Sequence, residues 1–136
     1  MRDLLESALK NNRADYCEIR VEESVSTSIQ YRGRELEDIG ATFGIGGNVR
    51  ATVNGGWGFV SFNDLSGLSD NVDLAVRQAR LAAQDHTVLA DADPVVDIVK
   101  TEVLTDAADV PLSEKKDLMD EYVEAAWSVS DKIQTS

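Results

Sequence analysis

From Asp15 to Phe62 the chain alternates apolar and polar residues with a period of two, punctuated by glycine. Such a period sends successive side chains to opposite faces, so this stretch has to pair as a half-buried sheet. Cys17, Ile19 and Val21 share one face of a first strand, with Glu18, Arg20 and Glu22 on the other. Val25, Thr27, Ile29 and Tyr31 line a second strand. Arg32-Gly33-Arg34 predicts a turn, because only glycine takes positive φ without a steric cost. A third strand is expected from about Glu35 to Phe43, with Ile39, Ala41 and Phe43 on one face. Beyond Gly44-Ile45-Gly46-Gly47, the run Asn48 to Val53 reads as a fourth strand. Asn54-Gly55 is a strong hairpin signal, and Trp57 to Phe62 returns as a fifth strand. The expectation is an antiparallel meander sheet of about five strands.

On either side the period is 3.6. Leu4, Leu5, Ala8 and Leu9 predict a short first helix that Asn11 and Asn12 stop. Leu68, Val72, Ala75, Val76, Ala79, Ala82 and Ala83 form the stripe of a longer helix, with Ser66 or Ser69 as its expected cap. Asp91-Ala92-Asp93-Pro94 breaks the chain, and the β-branched run Val95 to Val103 predicts a strand or an extended piece. A last helix follows Pro111, with Ser113 as expected cap and Leu118, Tyr122, Ala125 and Val129 as its apolar stripe, widened by Met119 and Val123. Strands grouped together, with helices flanking them, argue α+β rather than alternating α/β. At 136 residues the length fits a single α+β domain over 1–136. The last helix runs out without an ending signal, and Ile133-Gln134-Thr135 could open another strand. The chain is therefore expected to be the front part of a longer protein.

Charge narrows the partners. Lys and Arg number 13 against 25 Asp and Glu, a net −12. Residues 1–60 carry 7 basic and 9 acidic groups (−2), and residues 61–136 carry 6 and 16 (−10). A surface this acidic repels phosphate backbones and anionic lipid, so no direct nucleic-acid or membrane partner is expected. The single cysteine, Cys17, excludes an internal disulfide, the mixed-charge N-terminal stretch is not expected to be a secretion signal, and no 18-residue apolar run is present. A cytoplasmic setting is expected.

Catalytic constellations are mostly missing. A nucleophile–histidine pair needs a histidine, and His86 is the only one, near the expected end of the long helix. No two ligands stand at zinc spacing, and Cys17 reads as a small inward-facing apolar group. Gly44-x-Gly46-Gly47 neither completes G-x-G-x-x-G nor leads into a helix, so it reads as a bulge or bend between strands. Asp91, Asp93 and Asp97 lack the ligand density and glycine turn of a calcium loop. Trp57 and Phe59 share one face of the fifth strand. They read either as core beneath a helix or as an apolar wall for a peptide, with Arg50 on the next strand as polar anchor.

At these residues the sequence resembles the TldD/PmbA family. Ala14-Asp15-Tyr16-Cys17-Glu18-Ile19-Arg20 resembles that family's first strand. The resemblance continues through Gly44-Ile45-Gly46-Gly47-Asn48-Val49-Arg50, Gly55-Gly56-Trp57-Gly58-Phe59-Val60-Ser61 and the Asn63-Asp64-Leu65 step. It covers about residues 1–90 well, and its Trp-Gly-Phe form is closer to the TldD branch. The resemblance implies an intracellular metallopeptidase, older name modulator of DNA gyrase, acting as a homodimer or heterodimer on unfolded peptides. It also implies zinc in the full-length parent, held by His-Glu-x-x-x-His and a further cysteine. This chain has no His-Glu pair, so no catalytic or metal residue is carried over and no cofactor is expected in it. The resemblance implies that the matching part is an N-terminal cover of the peptide chamber, with Gly44, Gly46, Gly47, Gly55 and Gly58 as its structural motif; Arg50, Trp57 and Phe59, singled out above, are the candidate peptide contacts. The alternative is a stand-alone peptide-binding module that takes an extended peptide by strand addition. A hydrolase built on paired carboxylates ranks last.

Overall fold

A computed structural model describes residues 1–83, 87, 89–130 and 132–133. His86, Gln134 and Thr135, on which the expectations of a helix-end histidine and a further strand rest, lie outside the described residues. The elements in order are α1 (Arg2–Leu9), β1 (Tyr16–Arg32), β2 (Glu35–Val53), β3 (Gly56–Phe62), α2 (Leu68–Leu81) and α3 (Leu112–Ser128). The strands form one three-stranded sheet in the order β1-β2-β3. The α+β class holds, and the five-strand expectation is corrected to three. The expected first and second strands are one 17-residue strand, and the third and fourth are one 19-residue strand. Gly44 to Gly47 lie within β2 rather than between strands, because glycine keeps its hydrogen-bonding N–H and C=O and need not end a ladder.

The chain falls into two compact units. The first comprises Met1–Glu23 and Gly44–Val95. Its core is Val49, Ala51, Val53, Val60, Leu68, Val72, Ala75, Val76, Ala79 and Ala8, with Cys17, Ile19 and Phe62 packed against it. The predicted α2 stripe is thus buried from Leu68 to Ala79, while Ala83 is exposed past the helix end. β2 and β3 pair antiparallel through Val49↔Val60, Ala51↔Gly58 and Val53↔Gly56. The hairpin turn has positive φ at Asn54 (48°) and Gly55 (80°), as the two-residue loop demands. Asp15 braces that turn, since the Asn54 N–H donates to its carboxylate at 2.7 Å. α1 ends as expected: the Asn12 side chain donates to the Leu9 carbonyl at 2.7 Å, which satisfies a terminal helix group.

Glycine sets how close α2 lies to β3. A Cβ on Gly58 would stand 1.9 Å from the Ala75 carbonyl oxygen, and one on Gly56 2.2 Å from that of Ala79. Gly56 and Gly58 therefore present bare backbone to the Ala75/Ala79 side of the helix. Gly47 is crowded likewise, with a Cβ position 2.0 Å from the Arg20 carbonyl oxygen. The capping expectation for α2 is corrected. Its N-cap is Gly67, at φ 65°, with no side-chain cap, and the Ser66 hydroxyl and N–H donate to Asp64 instead.

The second unit comprises Ser24–Phe43 and Val96–Ser136. Gly33, at φ 65°, turns the β1–β2 hairpin as predicted. The α3 stripe is corrected: Leu118, Tyr122 and Val129 are exposed, whereas Val123 is buried and Met119 and Trp127 are half-buried. The inward line is one position off the expected one and runs Met119, Val123, Trp127 along the i, i+4 ridge. Tyr31 meets this line, and its hydroxyl donates to Asp120, which also accepts from Lys116 at 2.5 Å. Ser113 does not cap α3, whose N-cap is Pro111. Val95 to Val103 is neither helix nor strand, because a β-branched run becomes a strand only where an edge pairs with it.

Candidate peptide-contacting face

Strand alternation divides the first unit's sheet into two faces. Val49, Ala51, Val53, Gly56, Gly58 and Val60 turn toward α2, so Arg50, Thr52, Trp57 and Phe59 occupy the opposite face. That bears on one of the two readings of the aromatic pair, core beneath a helix. Trp57 is 38% exposed and Phe59 57%, so neither is core beneath a helix. They stand on the outer face because Gly56 and Gly58 occupy the inner phase of β3.

Register brings the three candidate residues together. Arg50 is opposite Phe59, and Thr52 is opposite Trp57. The Phe59 N–H points away from β2 and donates to Gln78 Oε1 at 3.1 Å. Arg50–Phe59 is thus a non-hydrogen-bonded pair, the class whose side chains lie closest, and Thr52–Trp57 two steps along is another. The Arg50 guanidinium carbon sits 5.2 Å from the Trp57 ring centroid. Its Nε is 2.8 Å from Glu18 Oε1, and the Tyr16 hydroxyl donates to Glu18 Oε2 at 2.5 Å. Tyr16, Glu18, Arg50 and Trp57 form a chain of contacts across the face. The ring contact contributes about 0.5–1 kcal/mol and the half-exposed ion pair up to about 1 kcal/mol, so the chain orients Arg50 more than it stabilises the fold.

The electrostatics follow from the same contacts. The Glu18 carboxylate pushes the Tyr16 hydroxyl above its ordinary value, which keeps it a neutral donor. Burial, then Glu18, pushes the Cys17 thiol up as well, away from the thiolate that a nucleophile or metal ligand requires. Among the described residues no group of three His, Cys, Asp or Glu side chains could hold a metal ion, so this donor set does not fit a zinc centre. Asp91, Asp93 and Asp97 are exposed and form no such group. Among the described residues no helix is long and apolar enough to cross a membrane.

Sequence reading reached Arg50, Trp57 and Phe59 but missed the Tyr16–Glu18 side of the face and Thr52. The alternation around Cys17 and Ile19 already put Glu18 on the outer face, and only the pairing of β1 beside β2 set it against Arg50. Thr52 is 2% exposed and its hydroxyl has no hydrogen-bond partner, a property that no spacing announces. Among the motif glycines, Gly55 serves the turn and Gly46, Gly47 and Gly58 serve close approach, while Gly44 is exposed within β2.

A family model described as PmbA/TldA metallopeptidase domain 1 matches residues 17–83. A metalloprotease of Synechocystis sp. is 36% identical over 126 residues, 92% of this chain and 27% of its own length. A metalloprotease of Methanocaldococcus jannaschii is 28% identical over 110 residues, 77% of this chain and 24% of its own length. The chain thus spans about a quarter of the curated relatives it matches. The crystal structure of TldE from Thermococcus kodakarensis superposes with a TM-score of 0.73 at 15% identity, covering 94% of this chain and 29% of that one. At that identity the likeness is one of fold.

Proposed function

This chain belongs to the PmbA/TldD metallopeptidase family as bearer of its first domain, and from that premise we propose that it is the N-terminal domain of a longer peptidase. In this reading it encloses unfolded peptide substrates and contributes to a homodimer or heterodimer. The zinc site and the bond-breaking step belong to the rest of the parent protein. The setting is cytoplasmic. The observation that carries the reading is the outer sheet face, where two aromatic rings and an oriented arginine stand clear of the core. Such a face gives an extended peptide apolar contact from Trp57 and Phe59 and a cation from Arg50 for its carbonyls or carboxylates.

The test is fluorescence titration of this chain with an unstructured, dye-labelled peptide. Trp57→Ala and Arg50→Ala are each expected to weaken binding about tenfold, with unchanged circular dichroism. Equal binding by both variants would remove this face from the reading. The same samples, with zinc added, are expected to leave the peptide uncut. Cleavage by this chain would overturn the placement of the chemistry. A stand-alone binding module would use the same face, and assay of the parent protein separates the two readings: Trp57→Ala raises KM there only if the face serves catalysis.

A further inference from the structure

A concavity in the first unit lies away from the aromatic face. Asn11, Arg13, Asp73, Val76, Arg77 and Arg80 line an open, solvent-facing cavity of about 280 Å³ between the loop after α1 and the flank of α2, and all of them except Val76 are exposed. Three guanidinium groups against one carboxylate make its lining +2 (3 − 1) in a chain whose net charge is −12.

The fold has little use for these charges. Arg80 stands in the last turn of α2, where the helix dipole favours a cation, and it donates to the Arg13 carbonyl at 3.4 Å. Neither role applies to the guanidiniums of Arg13 and Arg77. Asp73 is four residues before Arg77, yet no ion pair joins them, and the five ion pairs among the described residues involve none of the three arginines. Arg77 and Arg80, one turn apart, place like charges side by side, an arrangement that a helix disfavours. Each guanidinium offers planar paired donors that match two oxygens of one oxyanion.

We propose that this cavity binds a doubly charged oxyanion, a phosphate group or a dicarboxylate, between Arg13, Arg77 and Arg80. The buried Val76 adds an apolar group to the lining, and Asn11, at φ 61°, adds a side-chain amide. The bound anion relieves the repulsion among the three cations.

The test is an NMR titration of this chain with sodium phosphate and, separately, sodium succinate, at constant pH and with sodium chloride matching the ionic strength. Either anion is expected to shift the amide signals of residues 11–13 and 73–80 in a saturable way, with the tighter of the two identifying the source. Arg77→Gln, at an exposed position that holds no other group, is expected to weaken that binding at least tenfold. Arg77→Lys, which keeps the charge and loses the fork, is expected to fall between. Non-saturable shifts equal to those of chloride, or unchanged affinity in Arg77→Gln, would overturn the proposal. The peptide affinity of the aromatic face should not change in either variant, so failure here is distinct from failure there.

Discussion

At the scale of the residue, glycine 58 decides more than any aromatic. Its missing Cβ lets α2 approach β3 backbone to backbone, and its position in the inner phase sends Trp57 and Phe59 outward. Gly58→Ala puts a methyl 1.9 Å from a carbonyl oxygen held by a helix, not by a flexible side chain. We expect a loss of about 3 kcal/mol or more, the upper end of overpacking, read as a fall in Tm of about 10 °C. Gly40, whose added Cβ meets nothing within 4 Å, is the control, and Gly40→Ala should stay within about 0.5 kcal/mol. Thr52 belongs to the same scale. Its buried hydroxyl lacks a partner, so Thr52→Val should be neutral or stabilising, because it removes a desolvated polar group at nearly constant shape. A chemical denaturation series checks all three.

At the scale of the element, α3 shows how little a stripe says about the direction it faces. Its apolar residues cover most of its circumference, so several phases fit the sequence equally, and the ribbon of β1 and β2 selects the Met119–Val123–Trp127 line. Val123→Ala should cost about 1.5 kcal/mol, two buried methyl groups, while Leu118→Ala should cost under about 0.5 kcal/mol. The Tyr31–Asp120–Lys116 cluster gives this unit a pH signature. Lys116, then Tyr31, holds the Asp120 carboxyl below its ordinary value, and Asp120 holds the Tyr31 hydroxyl above its own. For Asp120 the folded value is depressed, so its contribution is present above the unfolded value near 3.8 and is lost as pH falls through the folded one. For Tyr31 the folded value is raised, so its contribution is present below the unfolded value near 10 and is lost as pH rises through the folded one. The near-UV circular dichroism of Tyr31 should therefore hold a plateau between about pH 4 and 10. Asp120→Asn should flatten the acid limb.

At the scale of the whole molecule, burial is unequal. Ten core residues lie in the first unit, whereas Val123 is the buried apolar residue of the second among those described. Opening free energies follow burial, so amides of α3 should exchange with solvent faster than those of α2. Hydrogen exchange read by mass spectrometry distinguishes them, and equal protection would show that the second unit draws stability from elsewhere. The unit boundaries, after Glu23 and after Phe43, fall where the alternation predicted strand breaks. Hydrophobic pattern tracks burial, and burial changes there even though β1 and β2 continue through.

What the sequence determined by itself lies in local periodicity, although periodicity did not fix the strand count or the inward line of α3. The α+β class, the turns at Gly33 and Asn54-Gly55, the buried stripe of α2 and the shared face of Trp57 and Phe59 all follow from spacing and from which residues tolerate positive φ. Tertiary structure alone decided which way those faces look. Trp57 faces outward because a helix seats itself on glycine, Arg50 is aimed because β1 brings Glu18 beside it, and three arginines from two segments meet at one cavity. A face is a property of one segment, but burial is a relation between two, and a one-dimensional pattern carries only the first.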